Sequence, residues 1–295
     1  MKKIKLGQYI LLGIMIFLGA ACLLPLILVV IVSFTDEMSI ARNGYSFFPE
    51  AWSLEGWEYV FNYGSQLVTS YGVTIFVTVS ATLVSMIAET MFAYTLSRSN
   101  FRMRKYFAIM MLITMLFSGG LVSSYFINVS WYHLRDSLLV LILSGVSAMH
   151  VIILRTYIQG TVSEALIESA KIDGASEFRS YAQVVIPCMK PALASVAFMK
   201  AIGHWQAWQE ALLYISSARK TPLSLLLMKV ETQINYLART GDSLSTEEYE
   251  QIAKSLPHDS GRMAILLASL GPILIAYPFF QKYFVKGITI GSVKG

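Results

Sequence analysis

Residues 138–154 read LLVLILSGVSAMHVIIL and form the clearest apolar run of the chain. The run contains one ionisable side chain, that of His150. A helix that crosses a membrane needs about 20 predominantly apolar residues. Because the apolar pattern continues beyond this run, the segment Ser137–Ile158 is predicted to be a transmembrane helix.

Five other stretches have a similar length and composition, and each is predicted to be a further transmembrane helix. They are Tyr9–Phe34, Ser70–Ser97, Tyr106–Ile127, Pro191–Ser216 and Arg262–Phe284. The 295 residues are 55% hydrophobic and 14% charged, with a mean hydropathy of +0.58, whereas soluble domains average about 45–50% apolar and about 25% charged residues. This composition excludes a disordered chain and a small disulfide-rich scaffold, and it argues against an ordinary soluble enzyme. The expected fold class is all-α, a polytopic membrane protein with six transmembrane helices.

The distribution of Lys and Arg predicts how these helices are oriented. With both termini in the cytoplasm, the inner segments hold 14 of the 23 basic residues, and the first two outer loops hold only Arg42 and Arg135. Cytoplasmic loops of membrane proteins are enriched in Lys and Arg. We therefore expect a multi-pass protein of the bacterial cytoplasmic (inner) membrane with both termini inside. The net charge of +5 is then an orientation signal, and it requires no nucleic-acid partner.

The segments divide the chain into three expected parts. Residues 1–69 form the first helix and an external loop, residues 70–285 form a five-helix core, and residues 286–295 form a cytoplasmic tail. The first helix is expected to stay uncleaved, because the apolar run Tyr9–Phe34 is too long for a signal peptide.

The external loop at residues 217–261 contains two helical patterns. The segment Thr221–Asn235 is amphipathic, and Ser245–Glu248 has a capping-box pattern that precedes a short polar helix. These helices either shield the bundle or form a platform for an external partner.

The inner loop at residues 161–187, TVSEALIESAKIDGASEFRSYAQVVIP, has the pattern of two short helices joined by a turn. Thr161 and Glu164 form a capping-box pattern, which predicts a helix start. Asp173 and Gly174 form a turn signal, which predicts the end of that helix.

A second short helix is expected from about Ser176, with Phe178, Tyr181 and Val185 on one face and Pro187 at its end. The pattern fits a compact knob with an apolar face that docks into a soluble partner. It also fits an interfacial helix that rests on lipid.

This loop resembles the EAA motif of ABC importer permeases, which reads Glu-Ala-Ala, three residues, Gly, nine residues and Ile-x-Leu-Pro. The matching residues, at the spacing of the family, are Glu168, Ala170, Gly174 and Pro187; the departures, all small or aliphatic, are Ser169, Val184 and Ile186. The motif is long and specifically spaced, so the chain resembles this family much more strongly than a lone glycine motif would allow.

Three further stretches resemble one branch of the family. Ile172–Ser176 and the C-terminal Gly287–Gly295 are similar to the carbohydrate-uptake branch, and in particular to its maltose-permease-like second subunit. Phe117–Val122 resembles the sub-branch that imports oligo- and polysaccharides, of which an alginate-type importer is one member.

The resemblance implies the type I permease fold and a role for the inner loop in coupling to an ATPase subunit. In this family the first EAA helix docks in a cleft of the ATP-binding subunit, and the C-terminal tail reaches toward the same interface. The residues that the resemblance assigns to coupling are Glu164, Glu168, Ala170, Asp173, Gly174, Pro187 and Lys294.

The resemblance also implies the partners of the chain. They are a second homologous permease subunit, two ATP-binding cassette subunits, an extracytoplasmic solute-binding protein, an oligosaccharide and the lipid bilayer. The chain has no Walker A pattern, so ATP and Mg²⁺ are expected on the partner subunits and no cofactor on this chain. The histidines lack a second ligand at metal spacing, so no metal is expected.

Few ionisable residues lie inside the predicted spans, where charges are costly and are usually functional or paired. Glu89 is about eight residues from the inner end of the second span, and Lys200 is about nine residues beyond Pro191. At about 1.5 Å per residue both lie roughly 12–14 Å from the inner surface. Their equal depth and opposite charge make an intramembrane ion pair plausible.

The fifth span is the best candidate for a sugar pathway. Lys200, His204 and Trp208 are spaced for one helical face, and Trp205 and Gln209 are beside them. Aromatic rings stack on sugars and the polar groups bind hydroxyls or carboxylates, so an acidic, uronate-containing substrate would suit Lys200 and His204. The alternative is ordinary packing with an outer aromatic belt.

The expected function is therefore a non-catalytic permease subunit of an ATP-driven importer of oligo- or polysaccharide, which couples ATPase closure to alternating access. An ion-coupled secondary sugar transporter is one alternative, and it would require a series of membrane-embedded acids. An intramembrane enzyme is the other, and it would require paired catalytic groups within the spans.

Overall fold

The computed structural model describes residues 6–62, 64–240 and 259–292, and these are almost entirely helical. The α-helices are α1 Leu6–Ser33, α2 Glu37–Asn43, α3 Glu55–Asn62, α4 Gly64–Ser97, α5 Arg104–Leu116, α6 Gly120–Phe126, α7 Leu138–Leu143, α8 Ala148–Thr161, α9 Glu164–Ile172, α10 Glu177–Ser180, α11 Ile186–Cys188, α12 Lys190–Trp205, α13 Trp208–Tyr214, α14 Leu223–Thr240 and α15 Asp259–Ser292. Two π-helical turns, Ile127–Trp131 and Tyr181–Val185, and one 3-10 turn, Ala218–Lys220, complete the helical elements. The described residues contain no strand beyond one bridge between Thr35 and Trp52, so the all-α prediction is confirmed.

Four described helices are long and apolar enough to cross a membrane. They are Gly7–Ser33, Ser65–Ser97, Leu138–Thr161 and Asp259–Phe279. Two bent pairs raise the number to six if each pair is one span: Arg104–Leu116 with Gly120–Trp131, bent by 113°, and Glu177–Cys188 with Lys190–Trp205, bent by 82°.

The third predicted span is broken where the sequence places two adjacent glycines. Gly120 has φ +81°, a backbone conformation that residues other than glycine rarely adopt. The Ser118 hydroxyl accepts a 3.2 Å hydrogen bond from the Gly120 N–H. The break is thus built from a glycine conformation and a local side-chain cap.

The prediction of one continuous fifth span over Pro191–Ser216 was wrong. The helix α12 ends at Trp205, and α13 begins at Trp208 after a turn in which the Trp208 N–H donates to the Gln206 carbonyl oxygen at 2.8 Å. Gly203, which has a low helix propensity, lies in the last turn of α12. The side chain of Trp208 therefore does not continue the helical face of Lys200 and His204.

The described residues form two compact units. One unit comprises the residues before Val68 together with Leu227–Pro272, and the other comprises Val68–Leu226 together with the residues from Ile273 onward. Each unit contains segments that are distant in sequence.

In the first unit, the helices α2 and α3 contact the start of α15. The Glu37 carboxylate accepts hydrogen bonds from the backbone N–H groups of Asp259 and Ser260, each at 3.2 Å. Gly56 lies so close to Ser260 that an added Cβ would be 2.7 Å from its carbonyl carbon. The unit also includes most of α14, which confirms the helix predicted over Thr221–Asn235. The Ser245–Glu248 pattern lies outside the described residues.

In the second unit, α4 contributes to two apolar clusters. One cluster contains Tyr94 and Leu96 of α4, packed with buried residues of α5, α8, α9 and α12. The other contains Val77 of α4, packed with α7, α13 and Leu225. The helix α4 therefore connects the loop at residues 161–187 with the segment around α13, and Glu89 lies between the two clusters along the sequence of α4.

Candidate functional site

The first helix of the loop at residues 161–187 begins two residues later than the capping-box pattern predicted. The helix α8 continues through Thr161, and the N-cap of α9 is Ser163, whose hydroxyl accepts a 3.3 Å hydrogen bond from the Leu166 N–H. Thr161 is occupied by the last turn of α8, so it is not free to cap the next helix.

The predicted end of this helix at Asp173-Gly174 is confirmed. Gly174 has φ +83°, the Gly174 N–H donates to the Lys171 carbonyl oxygen, and the Ala175 N–H donates to the Ala170 carbonyl oxygen, both at 2.9 Å. This pair of hydrogen bonds is the Schellman motif, which requires a left-handed residue and therefore favours glycine. The motif sets the direction in which the chain leaves α9.

The second helix of the loop starts as predicted but does not stop at Pro187. Ser176 caps α10 by accepting from the Arg179 N–H at 3.2 Å. The chain then passes through the π-helical turn Tyr181–Val185 into α11, which includes Pro187, and it bends before α12. Because proline lacks an N–H, the regular ladder of hydrogen bonds is already broken at this point, and the wider π turn takes up the change.

The helix α9 has one buried face and one exposed face. Ile167 is buried in the apolar cluster with α4 and α8. Glu164 and Glu168 are exposed, as is Ile172, with 87% of its surface accessible. The Ser99 hydroxyl and backbone N–H hold the pKa of Glu164 below its usual value. The exposed face thus combines acidic and large apolar side chains, a composition that suits contact with another surface.

Two hydrogen bonds attach the loop to α4. The Tyr94 hydroxyl donates to Glu177 Oε2 at 2.6 Å, and the hydroxyls of Thr90 and Tyr181 lie 2.7 Å apart. Lys171 pairs with the other oxygen of Glu177. The position of the loop relative to α4 is therefore set by specific polar contacts as well as by apolar packing.

The structure brings Glu89 and Lys200 together inside the second unit. Lys200 Nζ donates to Glu89 Oε1 at 2.8 Å, and the two side chains are 2% and 0% exposed. Glu89 Oε1 also accepts from the Ser147 N–H at 2.6 Å, while Lys200 Nζ donates to the Gly145 carbonyl oxygen. His150 Nδ1 is 3.3 Å from Lys200 Nζ. An ammonium group has three N–H donors, and each donor of Lys200 has a neighbour within the protein.

These contacts stabilise a break in the fourth span. The helix α7 ends at Leu143 and α8 begins at Ala148, so the intervening backbone groups lack helical partners. Unpaired backbone groups cost several kcal/mol in an apolar membrane environment. The charged pair supplies a donor and an acceptor for Gly145 and Ser147 at this break.

A cavity of about 270 Å³ lies beside the charged pair. Its lining includes Lys200, His204, His150, Gly145 and Glu210, together with apolar and small side chains of α4, α7 and α12. An alanine Cβ at position 145 would lie 2.8 Å from His204 Nε2. The absence of a side chain at Gly145 therefore makes room for the imidazole.

The remaining residues predicted for the sugar pathway are placed away from this lining. Trp208 packs on the apolar cluster of α7 and α13, Gln209 is exposed, and Trp205 is half-buried at the end of α12. Lys294 lies outside the described residues. No group of three or more His, Cys, Asp or Glu that could hold a metal ion occurs within the described part of the chain.

Sequence reasoning missed the partners that surround the predicted residues. Ser147 and Gly145 act through backbone atoms, which carry no sequence signal. Tyr94 and Glu177 are 83 residues apart in sequence. The membrane-embedded position of His150 was the one available signal for its place beside Lys200.

The family of this fold is shown by comparison with known proteins. The family model described as binding-protein-dependent transport system inner membrane component matches residues 102–290, which include the loop, the broken fourth span and Lys200. Protein LplC of Bacillus subtilis (strain 168) is 34% identical over 279 residues, covering 94% of this chain and 91% of LplC.

Two further proteins are similar over almost their whole length. The polygalacturonan/rhamnogalacturonan transport system permease protein YtcP of the same strain is 32% identical and covers 99% of this chain and 100% of YtcP. A chain in the crystal structure of a bacterial ABC transporter involved in the import of the acidic polysaccharide alginate is 26% identical, with a TM-score of 0.80 over 96% of this chain and 100% of that chain. The chain therefore belongs to the family of binding-protein-dependent transport system inner membrane components, and it is a membrane-spanning, non-catalytic permease of an ABC transporter that works with ATPase and binding-protein components.

Proposed function

We propose that this permease imports an oligo- or polysaccharide together with a second homologous permease, two ATP-binding cassette subunits and an extracytoplasmic solute-binding protein. The observation that carries the proposal is the 161–187 loop, whose capped helix and Schellman turn lie within the region that the family model matches. The exposed Glu164, Glu168 and Ile172 form its docking face. ATP and Mg²⁺ bind the cassette subunits.

The orientation proposed for the chain has both termini in the cytoplasm of a bacterial cell, with the chain in the inner membrane. The excess of Lys and Arg in the segments between alternate helices supports this orientation. The loop at residues 161–187 then faces the compartment that contains ATP, as coupling requires.

An acidic oligosaccharide, such as a uronate oligomer, is the proposed substrate class. The names of two relatives support it, since one is a polygalacturonan/rhamnogalacturonan permease and the other belongs to an importer of the acidic polysaccharide alginate. Within this chain, His204 is the proposed sugar-binding side chain of the cavity. Lys200 lines the same cavity, but its donors are engaged by Glu89 and the backbone, so we assign it to the cavity wall.

Uptake by the reconstituted complex tests the function. We expect proteoliposomes that contain both permeases and the cassette subunits to accumulate a labelled oligogalacturonate only with ATP inside and the binding protein outside. A cassette subunit with its Walker A lysine replaced provides the matched control. Uptake that persists in this control and follows an ion gradient would establish a secondary transporter instead.

Replacing Gly145 with alanine tests the cavity. The new methyl group would overlap the His204 ring, which lies 2.8–2.9 Å away, and the ring is the free end of a side chain, so it moves and enters the cavity. We expect the KM for uptake to rise about tenfold, equivalent to about 1.4 kcal/mol of binding free energy, with normal amounts of assembled complex. Gly160→Ala is the control, because no atom lies within 4 Å of its Cβ position. An unchanged KM in Gly145→Ala would remove His204 from the pathway.

A further inference from the structure

Residues 89–94 of α4, about one and a half helical turns, are bonded to three different parts of the second unit. Tyr94 and Thr90 contact the 161–187 loop, at Glu177 and Tyr181 respectively. Glu89, which immediately precedes Thr90, contacts Lys200 of α12 and the backbone of Ser147. These residues, the 89–94 segment, therefore lie between the loop and the wall of the cavity.

Two hydrogen bonds attach the loop to the 89–94 segment, and the residues that form them have the same spacing on both sides. Thr90 and Tyr94 are four residues apart on α4, and their partners Tyr181 and Glu177 are also four residues apart, so each pair lies on one face of its helix. The rings of Tyr94 and Tyr181 also pack, with centroids 5.5 Å apart. Two bonds separated by a helical turn restrict rotation as well as translation of the loop against α4.

The side chains that the 89–94 segment contributes to these contacts are buried. Glu89, Thr90 and Tyr94 are 0%, 3% and 7% exposed. The side chain of Glu177 is 53% exposed, but the Tyr94 hydroxyl that donates to it is buried, so separating the two would leave that hydroxyl unsatisfied at a cost of about 1–3 kcal/mol. When Glu177 and Tyr181 move, it therefore costs less free energy for the 89–94 segment to move with them than for these contacts to break.

We propose that residues 89–94 of α4 transmit the movement of the 161–187 loop to the cavity, with Tyr94 and Tyr181 as positioning residues. When the loop moves, the 89–94 segment moves with it through the hydrogen bonds of Thr90 and Tyr94. Glu89 then shifts Ser147 and Lys200, and Lys200 lines the cavity together with Gly145. The proposal rests on the proposed coupling function of the loop, and it adds the path and the residues.

A second path exists, because the loop continues covalently through Met189 into α12. The hydroxyl groups separate the two paths. Tyr94→Phe and Tyr181→Phe each remove one hydrogen bond and keep the ring and the covalent connection. Tyr157→Phe is the matched control, since Tyr157 packs on the same cluster and its hydroxyl has no recorded hydrogen bond among the described residues.

The test measures sugar uptake per ATP hydrolysed by the complete complex. We expect the ratio to fall about fivefold or more in the double variant Tyr94→Phe/Tyr181→Phe, the lower end of usual coupling energies, and to stay unchanged in Tyr157→Phe. A double variant with an unchanged ratio would overturn the proposal, even if the amount of complex fell, and would leave the covalent path. A wild-type complex without ATP-dependent uptake would instead overturn the function on which the proposal rests.

A labelling experiment reports on the cavity directly. Met199 lines the cavity and is half exposed, so a Met199→Cys variant lacking Cys22 and Cys188 accepts a thiol reagent. We expect ATP to change the labelling rate in this background, and we expect the double tyrosine variant to abolish that change. An ATP-dependent change that survives the double variant would also overturn the proposal.

Discussion

Replacing Glu89 or Lys200 with glutamine is expected to destabilise the folded permease by about 3–5 kcal/mol, while the double replacement costs much less than the sum. Each single variant leaves one buried charge without its partner, and both side chains are at most 2% exposed. The double variant removes both charges, and its two amides still provide a donor for the Gly145 carbonyl oxygen and an acceptor for the Ser147 N–H.

The two single variants differ in what they leave behind. Glu89 Oε2 is buried and has no hydrogen-bond partner among the described residues. In Glu89→Gln the amide group can occupy this position while the carbonyl oxygen keeps the contact with Ser147. The Lys200 ammonium left in Glu89→Gln keeps the Gly145 carbonyl oxygen as an acceptor, whereas the Glu89 carboxylate left in Lys200→Gln keeps, within the described ranges of the chain, only the Ser147 N–H as a hydrogen-bond donor, so we expect the larger loss in Lys200→Gln.

The measurement is thermal or denaturant unfolding of the purified permease complex in detergent, read as a double-mutant cycle. Glu50→Gln is the control for loss of one carboxylate, because Glu50 is exposed. Independent and additive effects of the two replacements would contradict the pairing and would assign the charges separate roles.

Replacing Gly174 is expected to reduce the coupling of ATP hydrolysis to uptake. The size of the loss depends on how poorly the new residue adopts the left-handed conformation of Gly174. Gly174 has φ +83°, which glycine adopts freely, asparagine tolerates and β-branched residues strongly disfavour. We expect ATP-dependent uptake to decrease in the order Gly, Asn, Ala, Val. Forcing a side chain other than glycine into this conformation costs roughly 1–3 kcal/mol, enough to re-aim the exposed face of α9.

Sugar uptake and ATP hydrolysis, measured in the same proteoliposomes, check this order. Gly160→Ala controls for a glycine replacement in a regular helix. We expect a loss of at least tenfold in Gly174→Val with the complex still assembled, because the loss of the Schellman turn does not unfold the apolar cluster that packs Ile167 of α9 against α4. Equal activity of the Asn and Val variants would show that the Schellman turn is not needed for coupling.

Both predictions concern features that the sequence itself indicated, the Glu89–Lys200 pair and the turn at Asp173-Gly174. The Asp173-Gly174 turn follows from short-range rules, since a glycine at the end of a helix needs only its own neighbours to form the Schellman motif. The capping residue was misplaced by two positions because α8 extends through Thr161, and the length of a helix depends on what packs against it.

The apolar pattern by itself determined that the chain is a helical membrane protein. In the bilayer core no water is present to bind the backbone N–H and C=O groups, and a single segment satisfies all of them only by forming a helix. The spacing of Glu168, Gly174 and Pro187 determined the family resemblance. Opposite charges at equal depth also placed Glu89 and Lys200 as candidate partners.

The tertiary structure alone decided where the fourth span breaks and what completes each site. The break before α8 occurs where Glu89 and Lys200 from other helices replace the local hydrogen bonds, and no rule of sequence periodicity includes those contacts. Glu89 and Ser147 are 58 residues apart, and Tyr94 and Glu177 are 83 apart. Such pairs form because the bundle brings distant segments together, so their chemistry follows from the packing of the helices rather than from any local pattern.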